Sequence, residues 1–369
     1  MNIAIVTNIR APYRKLQIEE FAQNNQYNIN VYYTNSGYED RNWNVPPINN
    51  VKEIYLKKIL SFGKYGFLNK GLLDIIHHND TILIGGYEMP SYIILMLLCK
   101  RYNKKSVLLF DGVSVDKIRI KKFNLLQFFK RNIIKGFDYY FANGEVSKKY
   151  FIEIYNVKDY KVYNQFLSVD GSVIKVHKMI ENEKVKYRLK NCIDNNERVI
   201  VYSGRLISIK RVDLIIKAIS LLDRKEHYRV VILGDGVEKY NLLELAKIKN
   251  IKVDVMGFTS DQEELFIRYN LGDLLILPSD VEPWGLVVNE AMAADLPVIV
   301  SDICGCSLDL IHEGVNGYTF KKGNEIDLSN KIRMIFENDY KKMGKRSGEI
   351  IERWTFSHSK KNFEKIVKL

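Results

Sequence analysis

Leu277-Pro278-Ser279-Asp280-Val281-Glu282-Pro283-Trp284-Gly285-Leu286-Val287-Val288-Asn289-Glu290, followed by Ala291-Met292-Ala293-Ala294, reads as a strand end, a loop and a helix. Leu275–Pro278 closes a short apolar run of strand length, Ser279-Asp280-Val281 has loop composition, and Leu286–Ala294 has helical character. This unit sets one carboxylate, Glu282, just before the helix and a second, Glu290, about one turn into it. A helix start gathers unpaired N–H groups and positive dipole, which is where phosphate oxygens bind. Glu282 can reach whatever is attached to such a phosphate. Glu290 can accept two hydroxyl hydrogens from a group beside it. An anion, a neighbouring polyol and two carboxylates together point to a nucleotide-sugar pocket.

The spacing of the carboxylates is not specific by itself. Glu145 and Glu153 stand equally far apart, but no strand and no Pro-Trp-Gly accompanies them, and a solvated helix face explains that pair. The whole string Leu-Pro-Ser-x-x-Glu-Pro-Trp-Gly-Leu-Val-Val-x-Glu-Ala-Met-Ala is what carries information. It closely resembles the signature of the family-four retaining glycosyltransferases. The resemblance is strong over about residues 198–320 and fainter before them. It implies a GT-B fold, in which two doubly wound Rossmann-like α/β domains face each other across a cleft and a C-terminal helix crosses back to the first. It also implies transfer with retention of anomeric configuration, a donor held mainly by the second domain, and an acceptor entering from the first. The implied product is a bacterial surface glycan, such as capsule, lipopolysaccharide or a lipid-linked oligosaccharide.

Short β-branched runs separated by helical patterns fit parallel α/β sheets. The first half places strands at Ile3–Val6, Ile29–Tyr33, Thr81–Ile84, Ser106–Leu109 and Tyr139–Ala142. The second places them at Arg198–Tyr202, Tyr228–Leu233, Val253–Met256, Leu274–Leu277 and Pro297–Val300. The expected division is 1–168 for the acceptor domain, 169–352 for the donor domain and 353–369 for the returning helix.

Ser203-Gly204-Arg205-Leu206-Ile207-Ser208-Ile209-Lys210 is the second anchor. A strand ends, a glycine permits a tight turn, and two cations follow before an amphipathic helix. Fixed cations stabilise the charge that builds on a departing diphosphate. Arg offers a planar two-pronged contact and Lys a point charge. Both are expected to point into a solvent-filled cleft, and both match the family's Gly-Arg-Leu…Lys pattern. No D-x-D triplet occurs, so no metal is expected. Nor is any cofactor, the UDP- or GDP-sugar being a substrate. By the resemblance, Arg205 and Lys210 hold the diphosphate, Glu282 the transferred sugar and Glu290 the ribose. Gly204, Gly234, Phe258, Trp284, Gly285, Leu286 and Val287 complete the expected donor site. Phe258 would cover the base. Asp302 and Glu313, which flank the next turn, read as structural.

The first strand is followed by Thr7-Asn8-Ile9-Arg10-Ala11-Pro12-Tyr13-Arg14, which has no glycine. A dinucleotide-binding Rossmann domain needs G-x-G-x-x-G there, so a nicotinamide or flavin dehydrogenase is excluded. The Asn-x-x-Ala-Pro-Tyr-Arg form looks like a variant within the family and makes Arg10 and Tyr13 acceptor-side candidates. Asp111 and Glu88, each after an expected strand, are candidates to receive the acceptor proton.

Hydrophobic residues make up 46% of the 369 and charged residues 27%, ordinary for a globular chain of about two domains. The longest apolar stretch, Tyr92–Cys99, is far short of the roughly 20 residues of a membrane helix. No signal peptide is read at the start, and Cys99, Cys192, Cys304 and Cys306 have no ligand spacing, which fits a reducing cytoplasm. The net charge of +12 is uneven. Residues 1–168 hold 24 Lys+Arg against 14 Asp+Glu, and residues 169–369 hold 32 against 30. An anionic membrane or lipid diphosphate is the expected partner of the basic half, rather than nucleic acid. The segment 117–131, with Phe123, Leu126 and Phe129 among Lys121, Lys122, Lys130 and Arg131, is expected to lie on lipid as a helix. The alternatives to transfer are a GT-B sugar-nucleotide epimerase, which needs no acceptor, and a basic nucleic-acid-binding protein.

Overall fold

Runs such as Ile3-Ala4-Ile5-Val6 and Val199-Ile200-Val201-Tyr202 are buried on both faces, the condition under which strands pair in parallel beneath helices. The computed structural model describes residues 1–23, 26–35, 45–63, 66–119 and 125–369. Two units emerge. One comprises Met1–Val113, Lys117–Ser168 and Thr355–Leu369, and the other Ser114–Asp116 with Val169–Trp354.

The first unit holds β1 (Asn2–Thr7), β2 (Asn28–Tyr33), β3 (Lys52–Tyr55), the hairpin strands β4 (Lys58–Ser61) and β5 (Phe67–Asn69), then β6 (Thr81–Ile84), β7 (Lys105–Phe110), β8 (Tyr139–Ala142) and β9 (Val162–Asn164). Seven of them form one parallel sheet in the order β3-β2-β1-β6-β7-β8-β9. Helix Phe356–Lys368, at the end of the chain, belongs to this unit. Its Phe363 stacks on Phe21 of helix Pro12–Ala22, with ring centroids 4.2 Å apart and planes 2° from parallel. Gln17 Nε2 donates to Ser359 Oγ at 2.8 Å beneath that stack.

The second unit holds β10 (Arg198–Ser203), β11 (Tyr228–Leu233), β12 (Lys252–Val255), β13 (Leu274–Leu277), β14 (Val298–Ser301) and β15 (Gly317–Phe320). They form a parallel sheet in the order β12-β11-β10-β13-β14-β15. The order in which successive strands are laid down reverses between β10 and β13. Open α/β sheets open a crevice for ligands at such a switch point, beyond the strands' carboxyl ends.

The expected strands are all present, shifted at most by a residue at either end. Three more appear that the sequence reading did not place, β3, β9 and β15, together with the hairpin. Helix Leu286–Ala293 ends one residue before the expected Ala294. Cys99, Cys304 and Cys306 are buried thiols and Cys192 is exposed. Among the described residues, no helix is long and apolar enough to cross a membrane. Lys64, Lys121, Lys122 and Phe123 lie outside the described residues.

Candidate active site

The switch point of the second sheet brings the two motifs together. The loop after β10 carries Arg205 and Lys210, and the loop after β13 carries Glu282. Three contacts fasten them. Asp280 N–H donates to the Ile209 carbonyl at 2.8 Å, Arg211 Nη1 meets Asp280 Oδ2 at 3.1 Å, and Lys210 Nζ meets Glu282 Oε2 at 2.5 Å. Ser279 Oγ also donates to Glu282 Oε2, at 3.3 Å, and the Glu282 main-chain N–H donates to Ser114 Oγ at 2.9 Å. Glu282 is therefore buried and fixed at both ends of the residue. Lys210, expected in a solvent-filled cleft, has its ammonium largely covered and neutralised by Glu282. Arg205 is exposed, and its carbonyl accepts the Tyr202 hydroxyl at 3.0 Å.

Gly285 precedes the helix with φ +101°, a left-handed conformation that favours glycine. No side chain caps the first turn, Leu286-Val287. Gly285 also sits close under its own loop, where a Cβ would come within 2.7 Å of Leu277 Cδ2. Further along the helix, Glu290 Oε2 accepts the Tyr269 hydroxyl at 2.6 Å. The surrounding protein pushes the Glu290 carboxyl up to about 7, and the Tyr269 hydrogen bond opposes that rise. The same environment raises the Tyr269 phenol well above its ordinary value, through burial first and the neighbouring carboxylate second.

Trp284 does not line a pocket with its ring. It is buried, its Nε1–H donates to Asn289 Oδ1 at 3.0 Å, and it stacks on Trp354 with centroids 4.9 Å apart and planes 21° apart. Its place in the donor set is corrected accordingly: the Pro-Trp-Gly tryptophan anchors the loop to the core. Gly234 has a structural role as well. A Cβ there would stand 1.9 Å from the Gly204 carbonyl oxygen, so the two glycines let the loops after β10 and β11 lie in contact. Leu206 N–H to Asp235 O at 2.9 Å and Glu238 N–H to Leu206 O at 3.0 Å tie them. Phe258, after β12, is exposed. Asp302 and Glu313 serve local structure: Asp302 accepts from the Lys322 N–H, and Glu313 from the Thr319 N–H and hydroxyl.

In the first unit the acidic candidates are already engaged. Asp111 accepts from Arg14 Nη2 and, at 3.1 Å, from the Tyr13 hydroxyl. Arg14 is itself buried, so its charge needs that carboxylate. Asp111 is thus the counter-ion of a buried guanidinium, an engagement that its reading as acceptor base did not include. Tyr13 is part of the same cluster. Arg10 is likewise internal, paired with Glu53 at 2.9 Å and donating to the Val45 carbonyl at 3.0 Å. Glu88 is exposed and lies 3.6 Å from Lys130 Nζ. Lys130 in turn sits over the Tyr87 ring, 4.7 Å from its centroid, and burial lowers its pKa. That cation is half-buried and engaged by Glu88 and Tyr87, whereas Phe128 and Phe129 beside it are exposed.

Sequence reasoning missed Tyr269, Ser279, Ser114 and Arg211. Ser279 lies inside the first quoted motif and Arg211 directly follows the second, and serine and arginine are too common in loops to carry a signal there. Tyr269 and Ser114 gave no local signal, since each meets its partner only through folding.

Residues 183–353 match the family model described as glycosyl transferases group 1. A glycosyltransferase of Methanocaldococcus jannaschii is 32% identical over 137 residues, 37% of this chain and 35% of that protein. A Campylobacter jejuni α-1,4-N-acetyl-D-galactosaminyltransferase, whose name gives an undecaprenol diphosphate-linked glycan, is 29% identical over 215 residues, 54% of this chain and 59% of that protein. The chain spans well under half the length of the first curated relatives it matches. Among solved structures, Anabaena HepE in complex with UDP superposes with a TM-score of 0.76 at 15% identity, covering 100% of both chains. This chain therefore has the GT-B fold, and residues 183–353 in its second unit are similar to the glycosyl transferases group 1 family.

Proposed function

We propose that this protein is a retaining glycosyltransferase that moves a sugar from a nucleotide diphosphate sugar to a glycan or lipid-linked acceptor in bacterial surface polysaccharide synthesis. The observation that carries the reading is the pair Lys210–Glu282 at the switch point, beside an uncapped helix start and within a few residues of Glu290. Arg205 and Lys210 take the diphosphate and stabilise the charge that grows on it as the glycosidic bond breaks. Lys210 has three donors, so it can keep Glu282 while it meets a phosphate oxygen. Glu282, held by Ser279 and by its own main chain, faces hydroxyls of the transferred sugar. Glu290 accepts from the ribose. Leu286 and Val287 N–H groups meet the phosphates. The UDP in the HepE complex makes a UDP-sugar the first donor to try. Protein cations take the place of a metal, and Glu88 is the remaining acidic candidate on the acceptor side.

The test is incubation with UDP-, GDP- and ADP-sugars, with and without glycan or polyprenyl-linked acceptors, in EDTA. Nucleotide diphosphate release that depends on acceptor, with an unchanged anomeric configuration by NMR, is the expected result. Isomerised donor without acceptor would make the protein an epimerase. Turnover that appears only when Mg²⁺ or Mn²⁺ is restored would overturn the metal-free part.

A further inference from the structure

The hairpin β4–β5 is a two-stranded sheet joined to no other strand among the described residues. Every residue of β4 is exposed, so both faces of that strand meet water. Its inner strand β5 is held to helix Pro90–Arg101, the Asn69 N–H donating to Ser91 Oγ at 2.9 Å, which leaves β4 as the outer, uncovered strand. Tyr55, Ile59, Leu60 and Phe62 are each 46–56% exposed, an unusual density of large apolar side chains on one short segment. Cations surround them. Ile54–Leu73 contains four lysines and no carboxylate, and Lys57, Lys58 and Lys70 are exposed. Lys58 Nζ sits 4.0 Å above the Phe67 ring, which holds one charge at the root of the hairpin.

We infer that this hairpin is a docking element for an anionic lipid bilayer. Aliphatic and aromatic groups can enter the headgroup–acyl boundary while the lysines beside them meet lipid phosphates. Nucleic acid would reward the lysines and the aromatic rings but leave Ile59 and Leu60 unused. A second copy of this chain would have to bring carboxylates that the hairpin itself lacks. The charge excess of residues 1–168 favours the same surface. This assignment moves the lipid contact away from helix Leu125–Ile134, whose Lys130 is spent on Glu88 and Tyr87.

The test is flotation of the full chain with vesicles of equal parts phosphatidylcholine and phosphatidylglycerol, against phosphatidylcholine alone. It uses neither donor nor acceptor, so its outcome is separate from that of the transferase assay. The parent should float with anionic vesicles only, and less as salt rises. Ile59→Ser/Leu60→Ser/Phe62→Ser should reduce partitioning at least about tenfold, and Lys57→Ser/Lys58→Ser/Lys70→Ser by about as much. Phe128→Ser/Phe129→Ser should retain binding. If the apolar triple variant melts early by circular dichroism, the lysine triple variant decides. Unchanged flotation of either folded triple variant overturns the proposal. So does a parent that ignores vesicles but forms a dimer, by light scattering, that the hairpin substitutions dissociate.

Discussion

Lys210 Nζ and Glu282 Oε2 stand 2.5 Å apart, with both side chains largely withdrawn from water. The two residues are 72 positions apart and come from loops that follow neighbouring strands, β10 and β13. Removing one partner strands a charge as well as deleting a ligand contact, so stability and turnover are linked at this pair. Lys210→Ala should lower turnover at least about a hundredfold, some 3 kcal/mol of transition-state stabilisation, and also reduce unfolding free energy by about 2 kcal/mol. Arg205→Ala, at an exposed position, should show the loss of turnover with stability nearly intact. Denaturant unfolding and initial rates on both variants separate these outcomes; wild-type turnover in either removes the diphosphate role.

Glu290 gives a pH signature. Its folded-state carboxyl titrates at about 7, above the ordinary 4.5 of an unfolded glutamate. That contribution to stability is full below about 4.5 and is lost as pH rises through about 7. Glu290→Gln keeps an acceptor for Tyr269 and removes the ionisation, so it should match the parent near pH 4 and exceed it at pH 8 by about 3 kcal/mol. Chemical denaturation at both pH values checks this. Ribose hydroxyls favour the ionised form, so nucleotide binding should release a proton near pH 6.5. Calorimetry in buffers of different ionisation enthalpy should see that release in the parent and lose it in Glu290→Gln.

Trp284 and Trp354 form one buried stack. Trp284→Ala and Trp354→Ala should each cost about 3–5 kcal/mol, the usual result of emptying a large aromatic site in a core. A donor-stacking ring would behave otherwise, with weaker nucleotide affinity in Trp284→Ala and stability unmoved. Urea denaturation and nucleotide titration on the two variants tell the cases apart.

Gly234→Ala should be damaging although it adds a single methyl group. The new Cβ meets the Gly204 carbonyl at 1.9 Å, so the loop bearing Arg205 has to move. We expect a fall in nucleotide affinity together with a stability loss of about 2 kcal/mol. Gly171→Ala, where a Cβ meets nothing within 4 Å, is the control and should change neither.

The sequence by itself determined the parallel α/β class, the central strands and the pair of motifs in the second unit. Central strands are covered on both faces, so their apolar runs are unbroken and legible. Within the two large sheets the strands it did not reveal, β3, β9 and β15, are all edges, where pairing on one side tolerates polar residues such as Lys52, Glu53 and Asn164. Glycine positions were legible, but not their cause, since the Gly234–Gly204 approach joins loops from two strands. Tertiary structure alone decided how each charged group is used. The sequence offers Arg10, Asp111 and Lys130 as exposed chemistry, and folding closes them onto Glu53, Arg14 and Tyr87. A charge seeks the partner that lowers its desolvation cost, and that partner is set by which strands lie side by side, not by distance along the chain.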